Sequence, residues 1–265
     1  MPAIEIRRAP HVVPDGVLAF VPVRAPAEHR EDAAHAAHDD LVASELQLAL
    51  AMSPARRLPF VAGRQALRAA LRALDPRLAD TPLLRTARGA PDVPTGAIGS
   101  VSHKQTRAVA LAAPAQQMEF VRFVGVDLES RPVADAPVRD RRLASRILTA
   151  REFDAISPLD DAAHREATLL YFALKEAVYK TIDPFVERYV RFTEVELSLS
   201  VDALHGGETS GIALVTLRLA ECDELALHVD AAWTLEPDWI VATAISASPR
   251  AARFHRRDSA SRASR

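Results

Sequence analysis

The chain has 265 residues, 49% of them hydrophobic and 26% charged, with a net charge of −2. That composition is ordinary for a soluble globular protein and suffices for one large domain or two smaller ones sharing an interface. No apolar run is long enough to cross a bilayer, no signal-peptide pattern is read at the N-terminus, and the single cysteine, Cys222, excludes an intrachain disulfide, so the cytoplasm is the expected compartment.

Charge is unevenly spread. Residues 250–265 carry six arginines against one acid, a local +5, so the other 249 residues sum to −7. Residues 249–265 are expected to be a disordered basic tail, a solvated terminus rather than a nucleic-acid arm. Of the 33 basic side chains only Lys104, Lys175 and Lys180 are lysines. Arginine does not replace a compact, movable ammonium, so these three positions are candidate sites before any motif is considered.

In chain order, Val17 to Val23 reads as a strand. Glu28 to Ala51 reads as a helix on the spacing of Leu41, Leu46, Leu48 and Leu50. Pro54 and Pro59 are expected to break it. Phe60 to Leu74 is a second amphipathic helix, with Val61, Leu67, Leu71 and Leu74 buried. Arg64, Arg68 and Arg72 form an i, i+4 series on it, and Arg68 and Arg72 are read as a solvated face. Residues 81–99 are a Pro/Gly-rich loop containing Arg88-Gly-Ala-Pro91. Ile98 to His103 and Arg107 to Ala113 read as a hairpin, with Ser102-His-Lys-Gln105 between them. Histidine beside lysine at a strand end suits phosphate binding.

The second half opens on Phe123-Val-Gly-Val-Asp-Leu-Glu129. Strand alternation turns Asp127 and Glu129 to the same side. Two carboxylates on an apolar strand are costly to bury unless a cation neutralises them, and a hard divalent ion such as Mg2+ takes oxygen ligands. The alternative is a hydrated strand end. Val138 to Leu148 reads as a helix carrying Arg139, Arg141, Arg142 and Arg146, a basic face that suits an acidic protein partner or plain solvent. Thr149-Ala-Arg-Glu152 is a capping box. A helix follows over about 162–182, with Pro184 expected to stop it. Strands fit 195–199, 212–219, 225–233 and 239–245. On the helix, Phe172, Glu176 and Lys180 share one face by their spacing of four, and Lys175 is turned away. A helix this apolar is mostly buried, and a buried Glu176 needs a partner stronger than water.

The two halves look alike only coarsely: each opens with a strand, passes through helices and closes on antiparallel strands, with no residue-level repeat visible. The expected fold is α+β, two similar α/β lobes with pseudo-twofold symmetry and the active site in the cleft. The lobes are expected at 1–120 and 121–248.

Gly-Val-Asp-Leu-Glu, followed some fifty residues later by Phe-Ala-Leu-Lys-Glu-Ala-Val-Tyr-Lys, resembles the paired signature of 4′-phosphopantetheinyl transferases. Ser-Val-Ser-His resembles that family's third motif, and Gly63-Arg64 and Arg88-Gly-Ala-Pro91 resemble further elements. The order points to the larger, monomeric Sfp-type branch. The resemblance implies transfer of the phosphopantetheine arm of coenzyme A to a serine of an acyl, peptidyl or aryl carrier protein, with Mg2+ and without nucleic acid or membrane. It implies Asp127, Glu129 and Glu176 as metal ligands. Lys180 and His103 would lie on the coenzyme A phosphates, and Arg64, Arg88, Ser102 and Lys104 on the nucleotide end. Glu176, Lys180 and His103 are the expected catalytic groups, with Glu176 open between ligand and base. Two rival readings are a Mg2+-dependent coenzyme A or nucleotide pyrophosphohydrolase and a non-catalytic nucleotide-binding module. The chain departs from the family at Thr181-Ile-Asp-Pro-Phe185, where many members have a glycine-containing loop, and at Phe172, where tryptophan is frequent.

Overall fold

A computed structural model describes residues 4–23, 41–115, 120–132, 141–200, 202, 205, 207–220 and 225–249. The fold is α+β and is built from two antiparallel sheets, each crossed by one long helix. The first half contributes β1 (Glu5–Arg8), β2 (Val17–Pro22), α1 (Ala43–Leu50), α2 (Pro54–Leu74), β3 (Ala97–His103) and β4 (Arg107–Pro114). Its sheet runs β1-β2-β4-β3. The second half contributes β5 (Val121–Ser130), α3 (Arg141–Ile147), α4 (Ala150–Ile156), α5 (Asp161–Val186), β6 (Val195–Ser198), β7 (Ser210–Leu217), β8 (His228–Leu235) and β9 (Trp239–Ser248). Its sheet runs β5-β9-β8-β7-β6. Among the described residues no helix is long and apolar enough to cross a membrane.

Strand alternation sorts the core into three layers. On β4, Ala108, Ala110 and Ala112 face α2, while Val109, Leu111 and Ala113 face the other sheet. Small residues on the helix side let α2 approach through Ala62, Ala66 and Ala70. Val124, Val126 and Leu128 of β5 complete the layer between the sheets with Leu18, Phe20, Val241 and Ile245. The third layer lies between α5 and the second sheet, around Leu170, Leu174, Val178 and Trp233.

The other face of β5 therefore meets α5, and there Gly125 is decisive. A Cβ at Gly125 would stand 1.9 Å from the Ala177 carbonyl oxygen and 3.2 Å from the Thr181 amide. The helix backbone occupies that space. Thr181 adds polar ties, donating its hydroxyl to the Phe123 carbonyl at 2.5 Å, while Ser246 donates to the Thr181 carbonyl at 2.7 Å. Gly125→Ala is expected to cost about 2–3 kcal/mol, since overpacking against backbone forces the helix outward. Urea denaturation checks this, and a loss under about 0.5 kcal/mol would count against the close approach.

Several expectations need correction. Pro54 and Pro59 do not keep a helix from starting before Phe60. Pro54 opens α2 at its first position, and Pro59 lies inside it, close to that end. Proline is favoured at the first position, where its missing N–H is already spare, and Pro59 forfeits a single ladder bond. Pro184 likewise lies inside α5, which ends at Val186 with Glu187 left-handed at φ 52°. The Thr181–Phe185 departure is thus helix rather than loop. Arg68 is not on a solvated face: it is buried and pairs with Glu45 at 2.6 Å. β1 is exposed at all four residues, so it carries no hydrophobic alternation to read. Of the expected 28–51 helix, residues 28–40 lie outside the described residues, as do Arg139 of the basic segment and residues 250–265 of the tail.

The lobes share a residue-level feature after all. Glu45 is the third residue of α1. It accepts from the Val42 amide at 3.2 Å, from Arg68 of the long helix at 2.6 Å and from the Leu83 amide at 2.6 Å. Glu152 is the third residue of α4. It accepts from the Thr149 amide at 2.7 Å, from Lys175 of the long helix at 2.6 Å and from the Leu197 amide at 2.7 Å. Both acid–cation pairs are separated by 23 residues. One device is used twice: a buried glutamate ties a short helix, the long helix and a returning chain segment together. Lys175 belongs to this device, and its ammonium also donates to the Ile147 carbonyl at 2.7 Å and the Phe192 carbonyl at 3.0 Å.

Candidate functional site

The two sheets meet at their edge strands, β3 and β5, and the candidate site lies along that junction. Asp127 and Glu129 stand on the α5 side of β5 and are only 5% and 7% exposed, which excludes a hydrated strand end. Each meets a lysine. Lys180 of α5 donates to Asp127 Oδ1 at 2.7 Å and to the Val126 carbonyl at 2.8 Å. Lys104, just past β3, pairs with Glu129 at 2.5 Å. Ser102 of β3 donates its hydroxyl to the same Oδ1 of Asp127 at 2.8 Å. The second oxygen, Asp127 Oδ2, is buried without a hydrogen-bond partner.

Glu176 lies one helical turn before Lys180, half-buried. Burial raises its pKa, Lys180 opposes the rise, and the Asp127 charge adds to it. Glu129 is pushed up to about 7, first by burial, with the Asp127 charge contributing and Lys104 opposing. Glu129 and Glu176 thus each feel the Asp127 charge, although no three acid, histidine or cysteine side chains among the described residues converge in a ready-made metal cluster. The first lobe has no counterpart. One and five residues beyond Arg68 it carries Ala69 and Ala73, where the second lobe, counted from Lys175, carries Glu176 and Lys180.

Beside the acids opens a cavity of about 270 Å³ whose lining includes Arg64, Arg85, Arg88, His103, Tyr179, Lys180 and Asp183. Gly63, Gly89 and Gly99 also belong to its lining. Arg64 is buried, donates to the Leu84 carbonyl at 2.9 Å and leaves its Nε without a partner. Its pKa is lowered to about 10, by burial first and then by Arg85. Arg64 and Arg85 both stand over the Phe60 ring, at 4.6 and 5.1 Å from its centre. Cations crowded this way favour an anionic ligand. His103 sits at the rim with its pKa lowered, by burial of the ring first and then by Lys180. Arg88 spans the lobes: it grips both oxygens of Asp183 at 2.8 and 2.5 Å and donates to the Glu187 carbonyl at 3.1 Å.

Of the residues expected on the coenzyme, Arg64, Arg88, His103 and Lys180 line the cavity, while Ser102 and Lys104 are turned to the acids. Lys175, flagged only because lysine is rare here, serves the buried tie described above. The sequence does not mark Arg85, Phe60, Tyr179 or Asp183 as site residues. Arginine abundance hid Arg85, and nothing local marks the others.

A strand and a helix that carry Asp127, Glu129 and Glu176 lie beside a cation-lined cavity at the lobe junction, though none of the three acids lines it, and the cations define a site for a phosphate-bearing ligand. Comparison with known proteins narrows the class. Residues 44–113 match the model of the 4′-phosphopantetheinyl transferase N-terminal domain, and residues 123–243 match that of the 4′-phosphopantetheinyl transferase superfamily. The chain is 30% identical over 177 residues to the 4′-phosphopantetheinyl transferase Npt of Nocardia iowensis, covering 66% of this chain and 71% of that protein. It is 29% identical over 175 residues to the 4′-phosphopantetheinyl transferase PptT of Mycobacterium tuberculosis (strain ATCC 25618 / H37Rv), covering 62% and 72%. The chain belongs to the 4′-phosphopantetheinyl transferase superfamily, and the presence of the N-terminal domain fits the Sfp-type branch. It is a transferase, and the hydrolase and binding-module readings are not favoured.

Proposed function

We propose that the chain transfers the phosphopantetheine arm of coenzyme A to a carrier-protein serine as a cytoplasmic monomer, using Mg2+ held by Asp127, Glu129 and Glu176. One observation carries the metal assignment: Asp127 Oδ2 is buried without a donor, beside acids otherwise neutralised by lysines. An all-oxygen donor set with an unfilled lone pair fits a hard divalent cation. When bound, Mg2+ would polarise the pyrophosphate and balance charge on the leaving group.

The chain's own residues would do the rest. The cavity would hold the 3′,5′-ADP portion, with Arg64 and Arg85 on phosphate oxygens. Lys180 and His103 would donate to the pyrophosphate oxygens, where charge grows as the bond to the leaving group lengthens. The carrier serine oxygen bonds to the β-phosphorus, the bond from that phosphorus to the bridging oxygen breaks, and its electrons leave on 3′,5′-ADP. Glu176, one helical turn from Lys180, would take the serine proton.

Mass spectrometry of apo acyl, peptidyl and aryl carriers with coenzyme A and Mg2+ tests the reading. One carrier should gain one phosphopantetheine arm, and coenzyme A alone should release little 3′,5′-ADP. Release without any carrier would favour hydrolysis. Arg85→Ala should raise the Kd for 3′,5′-ADP about 10-fold, the loss of one charged hydrogen bond. An unchanged Kd by calorimetry would remove Arg85 from the binding site.

A further inference from the structure

Two side chains of the first lobe reach the acids of the second, and they do different things. Lys104 supplies charge to Glu129. Ser102 supplies none, yet it is buried at the junction and bonded to Asp127. β3 and β5 meet through serine side chains: Ser100 Oγ accepts from the Val126 amide at 3.1 Å, and Ser102 donates to Asp127 at 2.8 Å. Alternation puts Ser100 and Ser102 on one side of β3 and Val101 and His103 on the other. Ser100, Val101 and His103 all line the cavity, so strand side alone does not decide the matter, and Ser102 is not among the lining residues.

The consequence falls on the Asp127 carboxylate. Its Oδ1 takes both the Lys180 ammonium and the Ser102 hydroxyl, and its Oδ2 takes nothing. Lys180 has a long, flexible stem, can approach either oxygen, and is 26% exposed in its side chain. Ser102 has one short arm on a paired strand, so its reach toward Asp127 is far more restricted than that of Lys180. We propose that Ser102 is a positioning residue: from across the lobe junction it holds Asp127 with Oδ2 free for the metal, and it does not read the coenzyme. This rests on the metal reading above. It departs from the family resemblance, which puts Ser102 on the nucleotide.

The two roles separate under a test that does not need turnover. Mn2+ serves as probe, since it takes the same octahedral oxygen ligands as Mg2+ and its free form is read by electron paramagnetic resonance. The full chain, Ser102→Ala and Ser102→Thr are titrated with Mn2+ in the presence of coenzyme A, and with 3′,5′-ADP in the presence of EDTA. Ser102→Ala should weaken Mn2+ binding about 10- to 100-fold, the usual effect of losing a group that orients a ligand. Its metal-free Kd for 3′,5′-ADP should stay within about twofold, and Ser102→Thr, which keeps the hydroxyl, should recover most of the Mn2+ affinity. Unchanged Mn2+ affinity in Ser102→Ala, with normal binding by the parent chain, overturns the assignment alone. So does a metal-free 3′,5′-ADP Kd that rises as much as the Mn2+ Kd, since that is the behaviour of a nucleotide contact. Failure of the parent chain to bind Mn2+ overturns the metal reading and the assignment with it.

Discussion

Asp127→Ala should lower carrier modification at least about 10³-fold, equivalent to roughly 4 kcal/mol of transition-state stabilisation. The size follows from what Asp127 touches. It is the acid with a free buried oxygen, and it is also the partner of Lys180 and Ser102. Its loss removes one metal donor and releases Lys180 from its resting place. Coenzyme A should still bind, because the cavity walls of Arg64, Arg85 and His103 are untouched. The fold should persist too, since the contact that fixes α5 on β5 is at Gly125 and Thr181. Carrier mass shift, calorimetric binding of coenzyme A in EDTA and the thermal midpoint together check the claim. Turnover near the parent rate would remove the metal assignment, whereas loss of both turnover and metal-free coenzyme binding would make Asp127 a structural residue. Asp127→Asn is the finer variant: it keeps the shape but not the anion, so it should also lose metal affinity while holding the strand as before.

What could be read from the chain was local. Alternation alone sets Asp127 and Glu129 on one face, and a spacing of four sets Glu176 and Lys180 on one side of a helix. The elements these residues ride on were visible as well, because long apolar runs dominate their surroundings. Pairings across the fold were not visible. The rarity of lysine marked Lys175 and Lys180 alike, yet one holds a buried glutamate and the other an acid at the site. No periodicity distinguishes them, because the distinction depends on which neighbour α4 or β5 brings. Arg68 shows the same limit: its i, i+4 series looks like a wet face until Glu45 is folded against it. Proline misleads for a related reason. Near a helix end it removes one hydrogen bond, and neighbouring packing compensates, so Pro59 and Pro184 both sit within helices.

The doubled glutamate tie yields the second large effect, this time on stability. Lys175→Met should cost about 3–5 kcal/mol, because it strands the Glu152 charge where both side chains are fully buried. Glu152 would keep the Thr149 and Leu197 amides as donors, but these carry no full charge. Arg68→Met should do the same to Glu45 in the first lobe, with a somewhat smaller loss, since the Arg68 side chain remains 8% exposed and water can reach it. The double variant Glu152→Gln with Lys175→Met tests the cause. It keeps a side-chain acceptor at position 152 and removes the buried charge, so it should be more stable than Lys175→Met alone. A purely steric role for the lysine stem predicts the reverse, as a second substitution would only add damage. Urea midpoints for the single and double variants decide between them. A loss below about 1 kcal/mol for Lys175→Met would mean that the ammonium is not what balances Glu152. The same measurement on Arg68→Met shows whether the two lobes, which share the tie but not the acids of the site, depend on it equally.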